Sequence, residues 1–173
     1  GRTNRTLMYF KERARFLSMM TKEIRNHEKN CKKHNLKPVI RLNTTSDIMW
    51  ENHKIMELFP GVIFYDYTKH FKRMLKFLRG ELPKNYHLTF SRNEANDKET
   101  MEVLRHGGNV SIVFRSKLPE FYNGYKVING DLHDLRFTDP KNVIVGLKEK
   151  PFLNPETNKK EIDQSGFVID LNK

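Results

Sequence analysis

The chain has 173 residues, 37% hydrophobic and 11% aromatic, with a net charge of +11. That length and apolar content suit one domain with a real core and exclude a disordered chain, and no apolar run approaches the ~20 residues of a membrane-spanning helix. The single cysteine, Cys31, excludes an internal disulfide, and no secretory signal is visible, which together fit a cytoplasmic protein.

Residues 6–33 place Leu7, Phe10, Ala14, Leu17, Thr21 and Ile24 at three- and four-residue steps, predicting one amphipathic helix that ends before Pro38. This leading segment is strongly basic. Residues 1–37 hold eleven Lys and Arg against three acids, a net of +8. Arg13, Arg15, Lys22, Arg25 and Lys29 are candidates for phosphate-backbone contacts, and a solvated helix face is the plainer account of the same residues.

A repeated unit follows. "PVIRLN" (38–43), "GVIFYDY" (61–67), "NYHLTFS" (85–91) and "NVSIVFR" (109–115) predict strands. Helices are expected over 48–58, with Ser46 or Asp47 as its cap, over 69–79, and over 97–106, stopped by Gly107-Gly108. The strand ends Asn43, Tyr67, Ser91 and Arg115 stand 24 residues apart each time. That beat calls for parallel strands joined by right-handed crossovers. After Arg115 it breaks. "YKVING" (125–130), "NVIVGLK" (142–148) and "SGFVIDL" (165–171) predict further strands, with a polar loop over Lys150–Gln164. The expected organisation is one β/α domain over 1–173: a basic leading helix (1–35), four regular repeats (38–115) and irregular finishing strands (116–173).

Side chains alternate along each strand. One predicted face carries Ile40, Leu42, Phe64, Tyr86, Leu88, Phe90, Val110, Ile112 and Phe114. The other carries Arg41, Asn43, Tyr65, Tyr67, His87, Thr89, Ser91, Ser111, Val113 and Arg115. A doubly wound sheet would be apolar on both faces. The expected fold is therefore α/β: a partial (β/α) barrel or curved, mostly parallel sheet, with helices on the outer face and the polar rows lining a cleft.

Sites in such folds lie at the carboxyl ends of strands. The candidate ligand-binding residues are Asn43, Asp47, Tyr67, Ser91, Arg115, Asp131, His133 and Lys148. Arg41, His87 and Arg115 would converge on an anion, or neutralise Asp47, Asp66 or Asp131 internally. Tyr65 and Tyr67 could stack on a base or fill space. Asp131 and His133 share a spacing suited to a metal, but no second histidine cluster or cysteine pair supports one, and no metal is assigned. Asp134 and Arg136 form an expected structural pair. Ser91 lacks the glycines of a nucleophile elbow, and no glycine-rich phosphate loop occurs.

"NRT" (4–6), "RLNTTSDIMWE" (41–51), "FYDYTK" (64–69), "NYHLTFSRNE" (85–94), "NGDLHDLRF" (129–137) and "VIVGLK" (143–148) resemble the gene-product-88-like group of phage and prophage proteins, along most of the chain. The resemblance implies a phage-encoded protein of the bacterial cytoplasm. It also implies a layout similar to radical S-adenosylmethionine enzymes, because members tend to carry a cysteine-rich segment just before the part matching Arg2–Thr6. An iron–sulfur cluster and S-adenosylmethionine would be cofactors only if such cysteines precede Gly1, and residues 1–33 would then be the first crossover helix behind an upstream strand.

Three function classes stand open. One is an enzyme, or the barrel body of one, with a strand-tip cleft for a small anionic or nucleotide-like ligand. Another is a non-catalytic accessory protein that binds nucleic acid through its basic helix. The third is a phage protein whose task is a protein contact. No membrane partner is expected.

Overall fold

The structure, a computed structural model, describes residues 2–153 and 158–172. Two helices open it, α1 (Arg2–Lys11) and α2 (Arg13–Lys33). The single helix expected over 6–33 is broken at Glu12, whose φ of −132° and ψ of 47° leave the helical region. The break changes which face is buried. α1 buries Tyr9, whereas Leu7 and Phe10 stay exposed; α2 buries Ile24 and Cys31. Tyr9 and Phe16 pack their rings against Trp50 with centroids 5.5 and 6.2 Å apart, which ties the helical pair to the rest of the core.

The strands follow in order: β1 (Val39–Ile40), β2 (Ile63–Thr68), β3 (Tyr86–Ser91), β4 (Val110–Phe114), β5 (Phe121–Tyr122), β6 (Tyr125–Asn129), β7 (Ile144–Lys148), β8 (Phe152–Leu153), β9 (Lys160–Glu161) and β10 (Val168–Ile169). Between them lie α3 (Ile55–Leu58), α4 (Phe71–Leu78) and α5 (Asp97–Arg105). The helix expected over 48–58 is instead a 3-10 turn over Trp50–His53 followed by α3, separated by Lys54 at φ +55°. Neither Ser46 nor Asp47 caps it. Among the described residues the main sheet runs β1-β2-β3-β4-β7-β6-β5, with β10 also beside β4. It is parallel except for the β5–β6 pair, and it does not close into a barrel. β8 and β9 form a separate antiparallel pair where a loop was expected.

The face assignment follows the expected alternation. Phe64, Leu88, Phe90, Val110, Ile112 and Phe114 pack with Met56, Met74, Val103 and Leu104 from the helices. Each such side chain contributes roughly 1.5–3 kcal/mol by leaving water. The register departs from the 24-residue beat. Val39 lies opposite Ile63, Phe64 opposite Tyr86 and Phe90 opposite Val110, so the offsets fall from 24 to 22 to 20. All three are even, so every side chain keeps its face while its depth changes. Ser91 therefore faces Ser111. Arg115 sits just past the end of β4, four residues beyond Ser111 and roughly 13 Å away.

Strand order explains what covers the polar face. From β1 to β4 the chain steps in one direction, and the helices cross one side. The step from β6 back to β7 goes the other way, as does the step from β7 to β10. A right-handed connection that steps backward has to cross the opposite face. Phe137 accordingly packs its ring on Tyr65 and His87, at 5.8 and 5.9 Å between centroids. β10 takes the edge of β4 at Val113 and Phe114, beyond the point where β3 pairs with Val110 and Ser111. The two strands part there.

Gly146 lies where the sheet leaves no room for a side chain. A Cβ on it would come 2.6 Å from Val127 Cγ1 and 3.0 Å from Leu118 Cδ2. Gly146→Ala is expected to lower unfolding stability by about 1–3 kcal/mol, read from the denaturant midpoint.

Candidate functional site

The polar rows and the two returning segments enclose a cleft of about 600 Å³. Arg41, Tyr67, Ser91, Ser111 and Val113 reach it from four neighbouring strands or their ends. Asp131, His133 and Asp134 reach it from the β6–β7 return, and Lys150 and Phe167 from the segment leading to β10.

Arg41 is held in place from three sides. Its Nη1 donates to Asp134 Oδ2 at 2.8 Å and its Nε to the Asn43 carbonyl at 3.0 Å. Its guanidinium carbon lies 4.6 Å from the centroid of the Tyr67 ring. Among the described residues its Nη2 has no hydrogen-bond partner. Asp134 also accepts from the hydroxyls of Tyr65 at 3.1 Å and Tyr67 at 3.3 Å. Burial, reinforced by Asp134, pushes the Tyr65 hydroxyl up to about 12. Burial likewise moves Tyr67 upward. Both phenols therefore remain proton donors at neutral pH, and Asp134 is the acceptor that fixes the Arg41 head.

The predicted residues divide. Tyr67, Ser91, Asp131 and His133 line this cleft. Ser91 Oγ has no partner among the described residues. Asp131 accepts the Lys148 backbone N–H at 2.8 Å and lies 3.9 Å from Lys150 Nζ. His133 is exposed; its carbonyl accepts from Arg136, and its Nδ1 lies 3.2 Å from Arg136 Nη2. Lys148 lines an adjoining lobe.

Asn43 and Asp47 line a further space of about 320 Å³ that shares Arg41, Thr44, Tyr67 and Ser91 with the cleft, and they and Arg115 also hold the framework. Asn43 is 2% exposed, and its Oδ1 accepts from Ser46 Oγ, the Ile48 N–H and Trp50 Nε1. Asp47 binds Arg73, the Thr68 hydroxyl and the Lys69 N–H. Arg115 is paired with Glu149 and Asp170 and donates to the Asp163 carbonyl. The expected convergence of Arg41, His87 and Arg115 does not occur. His87 lies between the rings of Phe77 and Phe137, and burial lowers its proton affinity. Asp134 pairs with Arg41, and Arg136 with Asp139 at 3.4 Å, so the expected Asp134–Arg136 pair is replaced by two others.

Arg92, at the carboxyl end of β3, also lines the cleft, and Asp134, Lys150 and Phe167 join it from outside the candidate ligand-binding set. Their placement depends on which face the return segments cross, and no local pattern carries that. Beneath the helices lies a second polar group. Asp66 accepts from the Tyr86 hydroxyl at 2.7 Å and the Asn43 N–H at 2.7 Å. Arg73 Nη2 donates to the same hydroxyl at 2.6 Å, and Arg73 grips Glu51 through Nε and Nη2, both at 2.8 Å.

Arg13, Arg15, Lys22, Arg25 and Lys29 are all exposed on α2. Arg15 is paired with Glu12 at 2.8 Å, and Arg13 and Arg25 lie over the rings of Tyr9 and Phe59. Among the described residues no helix is long and apolar enough to cross a membrane, and no group of three His, Cys, Asp or Glu side chains could hold a metal ion.

An open, mostly parallel β/α sheet with helices on one face and a polar cleft on the other is the class these features define. Within it, the family model described as Gene product 88 matches residues 1–171, and the chain belongs to that family of phage-type proteins. No curated protein and no solved structure matches the chain. The residues given do not fit the iron–sulfur cluster of a radical S-adenosylmethionine enzyme, which takes three cysteines. Cys31 is the single cysteine; it is buried in α2 with its sulfur 3.5 Å from His27 Nε2, and it does not line the cleft.

Proposed function

We propose that the protein binds a small anionic ligand in the cleft, where β3 and β4 part. The observation that carries this reading is Arg41. Its head is fixed by Asp134, the Asn43 carbonyl and the Tyr67 ring, yet among the described residues neither Nη2 nor the Ser91 hydroxyl in the same cleft has a hydrogen-bond partner. A pre-oriented guanidinium loses little freedom on binding, so more of its interaction with an anion is kept as affinity. The location agrees with the general rule for open α/β sheets, whose ligands sit outside the carboxyl ends of strands where the order reverses. Asp131, His133 and Lys150 complete the rim, while Asn43, Asp47 and Arg115 support the frame.

Titration of the full chain with inorganic phosphate, followed by calorimetry, tests this. Arg41→Ala is expected to weaken binding about tenfold or more, the scale of a charge-assisted hydrogen bond. Unchanged affinity in that variant would remove the proposal.

A second reading rests on the exposed cations Arg13, Arg15, Lys22, Arg25 and Lys29 of α2. In it, that helix holds nucleic acid without chemistry. Duplex affinity would then fall steeply between 50 and 200 mM salt, by roughly 10³-fold for six phosphate contacts. It would also survive Arg41→Ala.

A further inference from the structure

We infer that the ligand carries a planar apolar group beside its anionic group, as a nucleoside monophosphate does; the inference rests on the anionic reading above. The cleft has a second lobe. A space of about 370 Å³ adjoins the first and shares Val113, Asp131, Leu147, Lys150 and Phe167 with it. The lobes differ in character. Arg41, Tyr67, Ser91 and Ser111 line only the first, whereas Val168 and the Lys148–Glu149 rim line only the second. Val113, Leu147 and Phe167 form the apolar ground common to both. The combined size lies in the range that takes a ligand of this kind, roughly 300–1,000 Å³.

Phe167 stands at the junction, half-buried, and its chain is clamped. Arg92 Nη1 donates to the carbonyls of Gly166 at 2.5 Å and Phe167 at 2.8 Å, while Arg92 Nε donates to Asp97 at 2.7 Å. Gly166 has φ +92°, a conformation that L side chains rarely adopt, so the turn before Phe167 is set by glycine. Lys69 Nζ lies over the ring, 5.7 Å from its centroid. A ring carried on a clamped backbone suits stacking against a base, because the chain beneath it does not have to be ordered on binding. A ligand spanning both lobes would place its planar group against Phe167, Val113 and Leu147 and its phosphate towards Arg41 Nη2 and Ser91 Oγ.

Adenosine 5′-monophosphate, adenosine and inorganic phosphate are the probes, each titrated into the full chain by calorimetry and followed by saturation-transfer NMR. The expected result is that the monophosphate binds at least about tenfold tighter than either fragment, with the strongest transfer to its base protons. Phe167→Ala should weaken the monophosphate about tenfold, the scale of one base–aromatic stack, and leave phosphate unchanged. Phe167→Leu keeps apolar bulk without the ring face and should show the same selective loss. If phosphate and the monophosphate bind equally and both Phe167 variants leave the monophosphate unaffected, the two-lobe inference fails while the anionic reading stands. If neither binds, both fail.

Discussion

Replacing Arg73 with alanine is expected to destabilise the fold by about 3–5 kcal/mol, the cost of removing one partner from a buried charge cluster. The Arg73 side chain is 1% exposed and makes ion pairs with two carboxylates, Asp47 at 2.7 Å and Glu51 at 2.8 Å. It also donates to the Tyr86 hydroxyl and the Ile48 carbonyl. Alanine leaves Glu51, whose side chain is only 10% exposed, without its cation. The same change frees Asp47, which anchors the loop after β1 to the end of β2 through the Thr68 hydroxyl and the Lys69 N–H. Chemical denaturation followed by far-UV circular dichroism reads the effect. A loss below about 1 kcal/mol would place the cluster in solvent. Arg73→Met with Glu51→Gln should recover part of the loss, since Glu51, the more buried of the two carboxylates, is then no longer an unpaired charge.

The second large effect is pH dependence from Asp66. Burial raises its carboxyl to about 6 in the fold, against the opposing pull of the Tyr86 and Asn43 hydrogen bonds and of Arg73. In the unfolded chain it titrates near 3.8. The folded form thus holds its proton more tightly, and Asp66 favours folding fully below pH 3.8. That contribution is lost as the pH rises from about 4 through 6, by up to about 3 kcal/mol for a shift of about two units. Burial also raises Asp139, whereas hydrogen bonds from Arg79 and Ser165 lower Glu81 and Asp163, so the comparison is with Asp66→Asn. The stability of that variant relative to the parent should rise between pH 4 and 7 and level off above. A difference that stays flat would mean that Asp66 titrates normally in the fold.

The parts of the fold legible in the sequence are those carried by short-range pattern. Alternation in "YHLTFSR" separates Leu88 and Phe90, which pack under helices, from Ser91, which lines the cleft. That division survived because the register offsets are all even. The same stretch also shows the limit. His87 belongs to the polar row but lies between Phe77 and Phe137, outside the cleft. Tyr86 belongs to the apolar row, yet its hydroxyl bridges Asp66 and Arg73. The apolar spacing of Leu7, Phe10 and Leu17 read as one continuous stripe, but the break at Glu12 turns Leu7 and Phe10 outward.

By itself the sequence determined the succession of strands through β4 and the helices α4 and α5 between them, which face of each strand is apolar, the concentration of positive charge on the leading segment, and the family. These depend on periods of two and 3.6 residues and on composition, all local to a few residues. Only the tertiary structure decided how deep each polar residue lies, because inter-strand register is set between segments and slipped by two and then four residues from the 24-residue beat. It also decided that Asp134, Lys150 and Phe167 join Arg41 and Ser91, residues up to 126 positions apart. The backward steps to β7 and β10 bring them together, and a right-handed connection stepping backward has to cross the polar face.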